Sequence, residues 1–73
     1  MDNETMLKWL GERIRYGRKE KKISLDALAV LCEIDKANLS RIEAGKINVT
    51  ILTLNKIAHH IYGDLGTLFS NEK

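Results

Sequence analysis

Apolar residues recur at spacings of three and four along most of the chain, and no stretch alternates as a strand would. That periodicity predicts an all-α fold. The first helix is expected from about Thr5 to Lys21, with Leu7, Leu10, Ile14 and Arg18 on one face and Thr5 or Asn3 as its cap. Gly11 and Gly17 lie inside it, where glycine weakens a helix; the pattern leaves open whether another helix approaches there. Ser24 precedes Leu25, Leu28, Ala29 and Cys32, a second helix of about two turns, and Asp26 suits the positive end of its dipole. Asp35 caps a third helix that turns Leu39 and Ile42 inward and ends at Ala44-Gly45. After a loop over positions 45–49, Thr50 caps a fourth, with Leu54, Ile57, Ala58 and Ile61 as its inward stripe. Tyr62-Gly63 ends it, and Asp64 caps a short fifth helix carrying Leu65, Leu68 and Phe69 before a polar tail, Ser70 to Lys73. The pattern has no linker and no repeat. It predicts one compact five-helix domain over 1–73, with its core at about 6–69.

Composition narrows the class. In 73 residues, 44% are hydrophobic and 30% charged, a balance that fits one globular domain with a modest core. No apolar run is long enough to span a bilayer, and the acidic start Met1-Asp2-Asn3-Glu4-Thr5 is unlike a signal peptide. The single cysteine, Cys32, excludes an internal disulfide, and no His/Cys grouping has zinc-ligand spacing. A cytoplasmic protein without metal or cofactor is expected. The adjacent pair His59-His60 points its rings about 100° apart and reads as packing or surface. Cys32 has no base or oxyanion motif around it, so no catalytic residue is expected and the chain is read as not an enzyme. The net charge of +2 neither demands nor forbids a nucleic-acid partner. Arg15, Arg18, Lys19, Lys21 and Lys22 cluster where the first helix ends, a position the dipole favours for cations.

One constellation carries chemistry. Two short helices joined by a tight turn need a small residue where they cross, an apolar residue after the turn, and apolar anchors on the second helix. Ala29, Ile34, Leu39 and Ile42 fill those roles, with Leu28 and Cys32 completing the buried face. This predicts a helix-turn-helix over 24–44, with the recognition helix at about 35–44.

With these residues in place, the chain resembles the lambda-repressor-like, or Xre, helix-turn-helix family over roughly Leu10 to Phe69. Ile14-Arg15 with Arg18 is similar to the family's first helix, and Ser24 with Leu28-Ala29 to its second. Leu39-Ser40-Arg41-Ile42-Glu43 followed by Gly45 is similar to its third. Leu54 with Ile57-Ala58 and Leu68-Phe69 match the fourth and fifth. The chain departs from the pattern at Leu25, where the family usually has glutamine, and at Lys22 and Glu33, where it has glycine. Val49 stands where a loop proline is usual, and Asn48-Val49-Thr50 resembles the loop of restriction–modification controller proteins.

The resemblance implies a sequence-specific transcriptional regulator that binds double-stranded DNA as a homodimer at a palindrome, with half-sites roughly 10 base pairs apart. It implies a structural ion pair between Arg18 and Glu43, and base contacts from Lys36, Ala37, Asn38 and Arg41 in the major groove. Ser24, Leu25, Ser40, Lys46, Asn48 and Thr50 are expected on the phosphates. The resemblance favours the end of the fourth helix and the fifth as the dimer interface, hence Tyr62 and Leu65, which the core pattern leaves over, and Phe69. A phage-type repressor, a controller of a restriction–modification operon and an antitoxin facing a toxin partner all fit. The contrasting class is a protein-interaction module that kept the fold with weak DNA readout, suggested by apolar Leu25, Val30 and Leu31.

Overall fold

Among the described residues five helices form, and each begins on a short side chain that accepts the backbone N–H three residues on, as an N-cap should. A computed structural model describes residues 1–70, so positions 71–73 of the expected polar tail lie outside it. The helices are α1 (Asn3–Glu20), α2 (Leu25–Cys32), α3 (Lys36–Glu43), α4 (Ile51–Tyr62) and α5 (Leu65–Phe69). Ser24, Asp35, Thr50 and Asp64 cap α2 to α5. The cap of α1 corrects the sequence reading: it is Asp2, whose carboxylate accepts from Thr5 N–H at 2.8 Å, rather than Thr5 or Asn3. The helix also stops one residue early, at Glu20.

Three helix ends share one geometry, in which a residue just past the helix turns left-handed and a six-to-one backbone bond closes the turn. At the end of α1, Ile23 N–H donates to Arg18 O across Lys22 (φ 57°). At the end of α2, Ile34 N–H donates to Ala29 O across Glu33 (φ 57°). At the end of α3, Lys46 N–H donates to Arg41 O across Gly45 (φ 73°). Lys22 and Glu33 therefore adopt the left-handed conformation that glycine takes without strain, and the turn of the helix-turn-helix keeps its shape around Glu33.

The core draws on all five helices: Leu10 and Ile14, Leu28, Ala29 and Cys32, Leu39 and Ile42, Leu54, Ile57, Ala58 and Ile61, and Leu68. Helix α1 packs on α3, α4 and α5, while α2 packs on α3 and α4. Both glycines of α1 mark close approach. A methyl group on Gly11 would fall within 2.7 Å of the Ile42 carbonyl oxygen and closer still to that of Glu43. One on Gly17 would meet the Tyr62 ring at 2.6 Å. So α1 can lie directly against the end of α3 only because position 11 has no side chain.

Tyr62 is not the leftover surface residue that the apolar pattern suggested. It is half-buried, its hydroxyl donates to Arg13 O at 2.6 Å, and the Arg13 guanidinium sits 4.8 Å from its ring centre. Burial raises its hydroxyl pKa, against the opposing pull of the Arg13 cation. Arg13 also donates from Nε to Leu68 O at 2.8 Å, placing a cation at the carbonyl end of α5. Trp9 stacks on Phe69 with ring centres 6.1 Å apart, which seats α5 against α1.

Candidate nucleic-acid interface

Helix α3 has one face buried by Leu39 and Ile42, and the remainder of its surface is set by what holds it in place. Arg18 Nε donates to Glu43 Oε2 at 2.7 Å and Nη2 to Oε1 at 3.1 Å, a two-pronged pair between α1 and the last turn of α3. Both side chains are largely buried, at 13% and 9% exposure. Arg18 also donates to Ile23 O at 3.0 Å, so one guanidinium fixes both α3 and the turn leading into α2. With the close Gly11 contact beside it, the C-terminal end of α3 is fastened to α1.

The N-terminal end of α3 is open. Lys36, Ala37, Asn38, Ser40 and Arg41 are all exposed and form one outward ridge, the periodicity of a helix whose 39 and 42 positions face inward. Three of these side chains, Lys36, Asn38 and Arg41, are partnered within the ridge or with α2. Arg41 Nη1 donates to Asn38 Oδ1 at 3.1 Å, and Lys36 Nζ lies 2.9 Å from Asp26 Oδ1 on α2. Ordinary helix-surface residues could do the same, so the pairing alone assigns no role.

Two concavities flank the ridge. On one side, an open groove of about 380 Å³ lies between α3 and the α3–α4 loop, lined by Asp35 and Asn38 and by Asn48, Thr50 and Thr53 across the gap. There Asn48 Oδ1 accepts from Val49 N–H at 2.8 Å, and Thr50 Oγ1 accepts from Thr53 N–H at 3.2 Å. On the other side, about 270 Å³ lies between Leu25, Ser40 and Glu43 on α2 and α3 and Arg15 and Arg18 on α1. Of the expected phosphate contacts, Asn48 and Thr50 thus share one concavity and Leu25 and Ser40 the other. Ser24 adjoins Leu25 as the cap of α2, its Oγ accepting from Ala27 N–H at 3.0 Å, and Lys46 is exposed.

The sequence assigned Arg15 no contact, placing it only among five cations at a helix end and in the first-helix resemblance. Its spacing of three from Arg18 was the available signal, since that puts both on one side of α1. Leu25 is half-buried and packs against the core, so the carbon side chain in place of a polar one has an apolar neighbour to cover. Of the expected interface residues at the other end, Leu65 and Tyr62 are half-buried against the core and Phe69 is 47% exposed. Cys32 is wholly buried, and burial raises its thiol pKa. Among the described residues no His, Cys, Asp and Glu grouping could hold a metal ion, and no helix is long and apolar enough to cross a membrane.

Comparison with known proteins bears on this geometry. The family model described as helix-turn-helix (HTH_3) matches residues 14–61, which spans α1's second half through α4. The crystal structure of the restriction–modification controller protein C.AhdI from Aeromonas hydrophila superposes with a TM-score of 0.84 at 29% identity, covering 89% of this chain and 98% of that one. An HTH_3 family transcriptional regulator from Vibrio cholerae superposes with a TM-score of 0.87 at 32% identity over 97% of this chain. This chain spans 40% of that protein. No curated protein matches.

Proposed function

The chain belongs to the helix-turn-helix (HTH_3) family, and from that premise we propose that it is a sequence-specific DNA-binding regulator of transcription, acting as a homodimer on a palindromic operator. The observation that carries this reading is the exposed ridge of Lys36, Ala37, Asn38 and Arg41, held on a helix fastened from behind and flanked by two concavities. A recognition helix needs that arrangement. Its exposed face enters the major groove, and the ground on either side receives the two phosphate backbones.

In that role Arg41 and Lys36 donate to guanine O6 and N7, Asn38 pairs with adenine, and the Ala37 methyl meets a thymine methyl. Phosphates are taken by the free N–H groups at Ser24 and Leu25, by Ser40 with Arg15 beside it, and by Lys46, Asn48 and Thr50. Arg18 and Glu43 act only as a structural pair. With 12 Lys and Arg nearly balanced by 10 Asp and Glu, the net charge of +2 attracts a duplex only weakly, which favours two subunits sharing a site. The α4–α5 end is the proposed interface, through Phe69 and Leu65 with the edge of Tyr62. Control of a restriction–modification operon is the favoured subgroup, because similarity to the Aeromonas controller runs over 98% of that chain. The protein would work in the cytoplasm, where the DNA is, and no catalytic role is assigned.

A second reading has its own support. Val30 and Leu31 stand 77% and 50% exposed on α2, apolar surface that a protein partner such as a toxin could cover. Duplex binding separates the two. Fluorescence anisotropy on random-sequence DNA should show binding that weakens steeply with salt, and sequence-selected DNA should bind more tightly. An absence of binding at low salt would leave the interaction module as the better account.

A further inference from the structure

We propose that Asp26 is a positioning residue for base readout, its carboxylate holding the Lys36 ammonium over the base edges and away from the neighbouring phosphates. The inference rests on the DNA-binding reading above and adds a residue that reading does not use. Lys36 opens α3, where the positive end of the helix dipole disfavours a cation, so helix stability does not account for it. Asp26 lies in the first turn of α2, ten positions earlier, and its carboxylate reaches across to Lys36 Nζ at 2.9 Å. It has no capping duty, because Ser24 already accepts from the Ala27 N–H. The pair is 59% and 70% exposed, a setting in which ion pairs add little stability.

A carboxylate at this end of α2 also opposes phosphate binding, and so costs general affinity for DNA. What it supplies is direction. A lysine ammonium rides on a flexible four-carbon stem and is attracted to any nearby phosphate oxygen. Tethered to Asp26, its reach is restricted to an arc along the outer face of α3, the face that the reading turns toward base edges. Asp26 thereby gives up affinity shared by all sequences in return for preference at one base pair of each half-site.

The test is selection by the full chain from a duplex library randomised across the footprint, comparing wild type, Lys36→Ala, Asp26→Asn and the double variant. Both substitutions fall on exposed positions, and helical circular dichroism checks that each variant is folded. Lys36→Ala should lose preference at one base-pair position per half-site. Asp26→Asn should lose preference at that same position by about fivefold or more, the low end of what one base contact contributes. Its affinity for unselected duplex should rise, and preferences set by Arg41 should stay. In the double variant, losing Asp26 should change base preference no further. The proposal is overturned if Asp26→Asn keeps every preference or weakens all positions alike, or if Lys36→Ala loses none. Failure of the wild type to bind any duplex at low salt would instead remove the DNA reading, and this inference with it.

Discussion

The two ends of α3 are each tied by an ion pair of nearly equal length, 2.7 Å for Arg18–Glu43 and 2.9 Å for Lys36–Asp26. Burial separates them. The first is sheltered between α1 and α3 and satisfied by further hydrogen bonds, whereas the second stands in water on the outer face. A sheltered pair that loses one member leaves a charge stranded, while an exposed pair returns both charges to solvent at little cost. One end of α3 is therefore fixed in place and the other is left exposed.

The largest expected effect tests the sheltered end. Glu43→Ala should destabilise the domain by about 3–5 kcal/mol, because the Arg18 guanidinium keeps its place without its partner. Urea unfolding measures it, and Lys36→Ala in the same assay should cost no more than about 1 kcal/mol. Equal losses would break the comparison.

Next comes Gly11→Ala, which forces a methyl group against the carbonyls of Ile42 and Glu43. A cost of about 1–3 kcal/mol is expected, the range for overpacking a filled site. Gly17→Ala should cost less, since the Tyr62 ring it meets is a side chain that can shift. Denaturant midpoints of the two variants rank them, and the reverse order would deny that α1 holds α3 by backbone contact.

Glu33→Gly works in the other direction. Relief of the left-handed strain at φ 57° should outweigh the entropy gained by the unfolded chain, for a net stabilisation of about 0.5–1 kcal/mol. A thermal midpoint that falls instead would show Glu33 making a contribution that its backbone does not reveal.

The smallest effect is on pH. Hydrogen bonds from Thr5 and Thr67 hold the cap carboxyls Asp2 and Asp64 below their ordinary value of 3.8. A lowered folded pKa gives stability that is present above the ordinary value and lost as pH falls through the lower one. Stability should therefore decline in acid below about pH 4, and more shallowly in the Asp2→Asn, Asp64→Asn double variant, followed by circular dichroism.

Much of the frame is legible locally. Ser24, Asp35, Thr50 and Asp64 each stand just before an apolar stripe, so cap and stripe announce the helix together, and the inward residues of α4 follow one period. Asp2 escaped because Asn3 and Thr5, two further side chains able to cap, stand beside it, and the sequence alone does not choose among them. What local patterns do not carry is contact between distant positions. The Tyr62 hydroxyl meets a carbonyl 49 residues away, and Arg13 reaches Leu68 O across 55, so neither side chain betrays its role in sequence. No local pattern separates Arg18 and Glu43 from ordinary surface charges, nor Asp26 and Lys36. Arg15 looked like one cation among five until the fold set it beside Leu25 and Ser40. The exposed ridge itself follows from Leu39 and Ile42 facing in, which leaves 36, 37, 38, 40 and 41 at the surface.

The central claim is that this ridge reads DNA, and Arg41 carries the most direct test of it. Anisotropy titrations of wild type and Arg41→Ala on a duplex selected by the wild type, with random duplex as reference, compare specific with general binding. The account predicts that Arg41→Ala loses about 1–3 kcal/mol on the selected duplex and far less on the random one. Equal affinity of the two proteins for the selected duplex would contradict it.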